Sequence, residues 1–232
     1  MSSASAVQAA PSVTVGAANV IAAAMLLIEF GMLRQALARD QIRLYAAQSA
    51  LISVLAIVIA ADRNLPDLYA LAGLSAALKV VAVPLMLRRL LPATSGDEEP
   101  AGVAGSHALS PASAVLAGIV LAAYGFFCFG GLKIRGPAAP ATALGIAAAM
   151  MLVAFGLMIV RRDVASQAIG FLALENAVSL AALVVASGLP LILETAFLFD
   201  LLVTVVVFGM LIRAHHARAE SLSTADLTRL RG

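Results

Sequence analysis

Residues 161–213, RRDVASQAIGFLALENAVSLAALVVASGLPLILETAFLFDLLVTVVVFGMLIR, decide the fold. A hydrocarbon core about 30 Å thick takes about 20 helical residues to cross. The segment holds two apolar runs of that length, about 165–188 and 191–212, joined by a tight turn at Leu189 and Pro190. They are expected to form antiparallel neighbouring helices. Three acids interrupt them: Glu175, Glu194 and Asp200. A carboxylate inside an apolar, membrane-length segment is expensive to bury, and such residues face a partner, a cavity or a proton path.

The same reading extends over the whole chain. With 62% hydrophobic residues, 12% charged residues and a mean hydropathy of +1.01, it carries far more apolar surface than a soluble core requires. The apolar runs are continuous and rich in Ala and Leu, not short and alternating, so helices are expected and not a barrel. The fold class is all-α, a polytopic membrane protein with about seven transmembrane helices. Residues 1–12 are read as a disordered tail without the basic start of a secretory signal. Helices follow at about 13–33, 42–61 and 68–91, the first three-helix unit. A polar cytoplasmic loop rich in Pro, Gly, Ser and acid fills 92–111. A linker transmembrane helix, free of charge, spans 112–131. The second three-helix unit covers 141–213, and 214–232 is a polar cytoplasmic tail.

The two units resemble each other. FGMLRQALARD in the first and FGLMIVRRD in the second each lead into another helix, then a Leu-Pro turn, then a third helix ending in Arg. Four helices apart, they share one membrane orientation, so the pattern is that of parallel repeats. In this alignment Lys79 and Asp200 lie on third helices, and Gln48 corresponds to Glu175 or Asn176.

Orientation follows from the basic residues. Arg63, Lys133 and Arg135 fall on one side, whereas Arg34, Arg39, Arg43, Arg88, Arg89, Arg161, Arg162, Arg213 and the tail arginines fall on the other. Cytoplasmic loops are the basic ones, which places the N-terminus outside and the C-terminus in the cytoplasm of a cell inner (plasma) membrane.

Few residues offer chemistry. Lys79 is eleven residues into its helix, about 16 Å deep and too far from either end to snorkel easily. Pro84 follows five residues later and should kink the helix just beyond it. Glu175 and Asp200 lie about 13 to 15 Å from an interface, each with a hydroxyl one turn on, Ser179 and Thr204. Asn176 adds a polar neighbour, and Gln48 and Ser49 can bond adjacent helices. Glu194 is about one turn inside the other surface, either opening a path outward or resting among headgroups. Glu29 is about 7 Å in depth from Arg34, close enough for a salt link at the interface. Cys128 is a lone thiol, His107 lies in the polar loop, and adjacent His215 and His216 cannot share a helix face, so no metal site is expected.

An acid pair and a lysine at one depth, without haem-binding histidines, a Cys cluster or a nucleotide-binding glycine motif, point to proton or cation movement. Glu175, Asp200 and Lys79 are the expected proton-transfer residues. Glu194, Glu29, Gln48, Asn176, Ser179 and Thr204 are candidates for the path. A purely structural set of buried interhelical links is the alternative, although about 1 kcal/mol or less per polar contact in lipid hardly offsets the burial.

The stretch GLMIVRRDVASQAIGFLALENAVSL resembles the second-helix region of the K subunit of respiratory complex I, with its arginine loop, Ile-Gly and Asn at the same spacing. The whole-chain layout resembles a larger relative, the hydrogenase-4 component E family of membrane subunits in formate hydrogenlyase-type and related group 4 nickel–iron hydrogenases. In the complex I subunit a proton-path Glu follows Ile-Gly, where this chain has Leu172; Glu175 lies about one turn further along. Asp200 matches the second family acid in position. The resemblance covers about 157–213 well, the KVVAVPLMLRRL end of the third helix less, and the first and fourth helices weakly. It implies a noncatalytic subunit between antiporter-like and quinone-arm-like membrane subunits, embedded in lipid, without contact to nucleic acid. It also implies that no cofactor or redox centre is carried on this chain. A subunit of a multisubunit cation/proton antiporter and a structural membrane scaffold are the competing readings.

Overall fold

The structure, a computed structural model, describes residues 13–35, 37–90, 109–130, 141–161 and 164–185, together with 202, 203, 206, 207, 209 and 213. The described residues are nearly all helical, with no strand among them. Six helices are long and apolar enough to cross a membrane, which makes the chain a multi-pass helical membrane protein. Of the expected seventh helix, residues 202, 203, 206, 207 and 209 are described and helical, as is residue 213 just beyond it. The expected tail at 1–12, residues 92–108 of the expected polar loop, residues 131–140, the expected turn at Leu189 and Pro190, Glu194, Asp200, Thr204 and the tail at 214–232 lie outside the described residues.

Helix α1 spans Val13–Arg34 and α2 spans Ala38–Arg63, four residues earlier at its start than the hydropathy suggested. The added turn is polar, and Asp40 within it pairs with Arg43 at 3.1 Å on the surface. α2 ends at Asn64, whose φ of 52° places it in the left-handed region and turns the chain, with its N–H still bonded to the Ala60 carbonyl. Asn tolerates that conformation better than most residues. Pro66 then opens the next helix at the position where a missing N–H costs nothing.

That next membrane crossing is interrupted. α3 (Pro66–Ala76) passes through a π-helical segment, Ala77–Ala82, into α4 (Val83–Leu90). The expected kink just beyond Lys79 is therefore a widened turn containing Lys79. The Pro84 ring cannot donate to, and clashes with, the carbonyl four residues back. Val83 N–H instead bonds Leu78, five residues back, a local widening of the kind that relieves such a clash. Leu68, Ala72, Ser75 and Lys79 remain on one buried face, continued by Val83 and Leu87.

α5 (Pro111–Gly130), α6 (Ala141–Val160) and α7 (Val164–Val185) complete the bundle. α5 packs along α6 and α6 along α7, while α1 touches α2 and α6, and α2 touches both α7 and the π segment. The α5–α6 seam is close because glycine allows it. A Cβ on Gly125 would stand 2.8 Å from the Ala148 carbonyl oxygen, and one on Gly145 3.0 Å from the Gly130 Cα. Small residues are the means by which helices approach in lipid, where no hydrophobic force drives them together. Val20, Leu27, Leu116, Val120, Phe127 and Ile159 point outward, forming the apolar surface a bilayer solvates.

Candidate functional site

The site begins on the π segment. Lys79 is 1% exposed, and its ammonium nitrogen lies 2.5 Å from Glu175 Oε1 and 3.1 Å from Asn176 Oδ1 on α7. Glu175 is 5% exposed. Neither group reaches an aqueous surface, so each charge is compensated inside the bundle by the other. Breaking such a pair by removing one partner leaves an uncompensated buried charge, at a typical cost of about 3–5 kcal/mol.

The polar contacts continue across α2. Asn176 Nδ2 donates to Gln48 Oε1 at 3.1 Å and to Ser49 Oγ at 3.0 Å. Gln48 Nε2 in turn donates to the Met25 carbonyl of α1 at 3.4 Å. Gln48, Ser49 and Asn176 are all fully buried. Their helical spacing explains the convergence: Glu175 and Asn176 both fall on the buried arc of α7 with Leu172 and Ala173, and Gln48 and Ser49 follow Tyr45 by one turn on the buried face of α2.

Glu29 closes the series on α1, one turn beyond Met25. It is completely buried, and its neighbouring polar side chain is Gln48. That contact falls short of a well-formed hydrogen bond, and both Glu29 carboxylate oxygens lack a partner. The expected salt link to Arg34 is absent from the ion pairs among the described residues, and Arg34 is turned to the exposed surface. Helix rise brought the two close in depth, but their angular positions on α1 differ.

Of the residues named from sequence, the structure therefore brings Lys79, Glu175, Asn176, Gln48 and Glu29 into one row crossing the π segment, α7, α2 and α1. Ser179 lies one turn beyond Glu175 on α7 and is partly buried. Leu172, which stands where the resembling subunit has its Glu, is fully buried in an apolar cluster with Ile169 and Ala173.

One functional-looking residue was read differently from sequence. Arg161, expected as a cytoplasmic loop charge, is 3% exposed and donates to the Leu33 carbonyl at 3.2 Å, to Met32 at 3.5 Å and to Gln35. Gln41 Nε2 adds bonds to Met32 and Gln35. Together they satisfy the last carbonyls of α1, where a helix end leaves acceptors unpaired and favours positive charge. The position of Arg161 directly after an apolar helix was the available signal, but nothing in sequence says whose carbonyls it meets.

The chain is 30% identical over 175 residues, 75% of its own length and 77% of the other's, to the uncharacterized protein Rv0085 of Mycobacterium tuberculosis. It belongs to the same family as Rv0085. No protein-family model and no solved structure matches the chain. Among the described residues no cluster of His, Cys, Asp and Glu is arranged to hold a metal ion. The site is thus an ion pair extended by amides, a construction suited to moving or storing a proton.

Proposed function

We propose that this member of the Rv0085 family is a noncatalytic membrane subunit of a complex I-related oxidoreductase, of the group 4 hydrogenase or formate hydrogenlyase type, and contributes mid-membrane charged residues to proton translocation. The observation that carries the reading is the buried Lys79–Glu175 pair, held inside membrane-length helices. Ionisable residues so placed are costly and mark ion pathways. Asp200, three residues before the buried Val203, is the proposed next carrier, with Ser179, Thr204 and Glu194 lining the route.

Two further features of the proposal have support in the packing. A seventh crossing would be supplied by residues 191–212, of which Val203 and Val207 join the apolar cluster containing Leu157, Ile169 and Leu172. The parallel-repeat reading is supported by α1 packing on α6 and α2 on α7, and by Gln48 bonding Asn176, one of its two candidate counterparts in the repeat. The N-terminus is placed outside and the C-terminus in the cytoplasm, with antiporter-like and quinone-arm-like subunits as lateral partners.

The test is proton translocation in vesicles containing the intact complex, comparing the parent with Glu175→Gln and Asp200→Asn at matched assembly and electron-transfer capacity. Loss of pumping is the expected result. Unchanged pumping with normal assembly would leave the pair as a structural link and favour the scaffold reading.

A further inference from the structure

The direction of the buried hydrogen bonds is not arbitrary. An ammonium has donors and no acceptor, so Lys79 obliges Asn176 to present Oδ1 to it. Asn176 Nδ2 must then point toward α2, and Gln48 must receive it on Oε1. That choice in turn directs Gln48 Nε2 toward α1, at Met25 O and beside Glu29. Amide orientation is ordinarily ambiguous; here one cation fixes two amides in sequence. The charged state of Lys79 is thereby written into what Glu29 faces, which is an N–H donor.

We propose that Glu29 is a second proton-binding site of the membrane domain, and that the Gln48–Asn176 amide pair couples it inversely to Lys79. While Lys79 is an ammonium, the amides offer their N–H ends toward α1, which gives a Glu29 O–H no side-chain acceptor there. When Lys79 passes a proton to Glu175 and Glu175 hands it on, the amine keeps an N–H on the Glu175 carboxylate and its one lone pair is free to accept a hydrogen bond. Asn176 can then turn its Nδ2 to Lys79 and its Oδ1 to Gln48, and Gln48 turns Oε1 toward Glu29. An acceptor there favours the neutral acid, whose O–H needs one, and Glu29 takes up a proton from the aqueous side. One proton has left the Lys79–Glu175 pair and one has entered at Glu29, without bulk water crossing α2.

The remaining ionisable groups on the elements around α1 are few among the described residues. α6 has none. On α5, Tyr124 and Cys128 are exposed on the bundle surface. On α2, Tyr45 lies on the same buried face as Gln48, Asp40 pairs with Arg43 at one end, and Asp62 is exposed at the other. Arg161 sits over the last carbonyls of α1, and Glu175 of α7 is engaged by Lys79. None of these intervenes along the amide path, although Arg161 sets a constant positive background at that end of α1.

Dicyclohexylcarbodiimide provides the readout, because it is apolar and reacts with protonated carboxyls: the acid O–H adds across a C=N bond, and rearrangement leaves a stable acylurea. The full chain in native membranes is labelled at fixed pH, and the rate at Glu29 is followed by peptide mass spectrometry, with Glu29→Gln as the blank. Lys79→Met is combined with Glu175→Gln so that no lone charge is stranded. Faster labelling of Glu29 in that double variant is expected, and in an Asn176→Leu background the same charge removal should leave the rate unchanged. Gln48→Leu is the second way to cut the path should Asn176→Leu fail to assemble. Absence of label at Glu29 in every variant, a rate indifferent to Lys79, or sensitivity that survives the cut would each overturn the proposal. The label reports protonation at equilibrium, so its outcome is independent of whether the complex pumps.

Discussion

The Lys79 ammonium nitrogen and Glu175 Oε1 are 2.5 Å apart across 96 positions of sequence, and both side chains are buried. Their pairing ties the π-helical segment to α7 inside the bundle, where both side chains are shielded from solvent. Removing one charge is consequently a different perturbation from removing both. Glu175→Gln is expected to lower the thermal stability of the purified chain by about 3–5 kcal/mol, and Lys79→Met with Glu175→Gln should recover most of that loss, because a buried pair replaced as a unit is often neutral. Melting curves in one detergent, read by size-exclusion profiles, measure both. Equal losses in the single and double variants would show that the pair is not energetically coupled.

Arg161 caps α1 from the start of the segment leading to α7. Arg161→Ala should cost about 1–3 kcal/mol, the penalty for leaving buried acceptors unpaired. Arg161→Lys should be intermediate, since an ammonium is a point donor and cannot span several carbonyls as a guanidinium does. Limited proteolysis at the α1–α2 turn provides a local check alongside the melting curve.

Gly125 and Gly73 predict opposite behaviour from the same substitution. Gly125→Ala drives a Cβ to 2.8 Å from Ala149 Cα and the Ala148 carbonyl oxygen, which are backbone atoms and cannot rotate away; overpacking of this kind costs about 1–3 kcal/mol. A Cβ at Gly73 meets nothing within 4 Å, and replacing a mid-helix glycine gains about 0.5–1 kcal/mol. The comparison of the two melting temperatures tests the α5–α6 seam directly.

Val120 lies in the middle of α5 and is 63% exposed on the outer face of the bundle. In a Cys128→Ser background, which removes the one native cysteine, Val120→Cys should react with an apolar, membrane-permeant maleimide and resist a charged one until the protein is denatured. Rapid reaction with the charged reagent in intact membranes would contradict a lipid-facing α5.

Much of the architecture was written in the order of residues, because the bilayer imposes a length and an apolarity that each crossing must satisfy by itself. The six described spans, the continuous Ala/Leu helices, the irregularity between Lys79 and Pro84 and the choice of Lys79 and Glu175 as the unusual charges all follow from such local requirements. Lateral relationships do not. Composition cannot tell whether Glu29 turns toward Arg34 or toward Gln48, since both lie within reach in depth and differ only in angle about α1. It cannot tell that Arg161 ends on the carbonyls of a helix more than a hundred residues earlier, or that Asn176 bonds Gln48 while Lys79 bonds Glu175. Those outcomes depend on which helix faces meet, a choice set by close packing at glycines such as Gly125 and by the widened turn that keeps Lys79 aimed inward. The sequence alone determined that this protein lives in a membrane and which groups are expensive there; the tertiary structure decided which groups compensate one another, because hydrogen bonds and ion pairs act over a few ångströms between helices whose order along the chain does not dictate their neighbours.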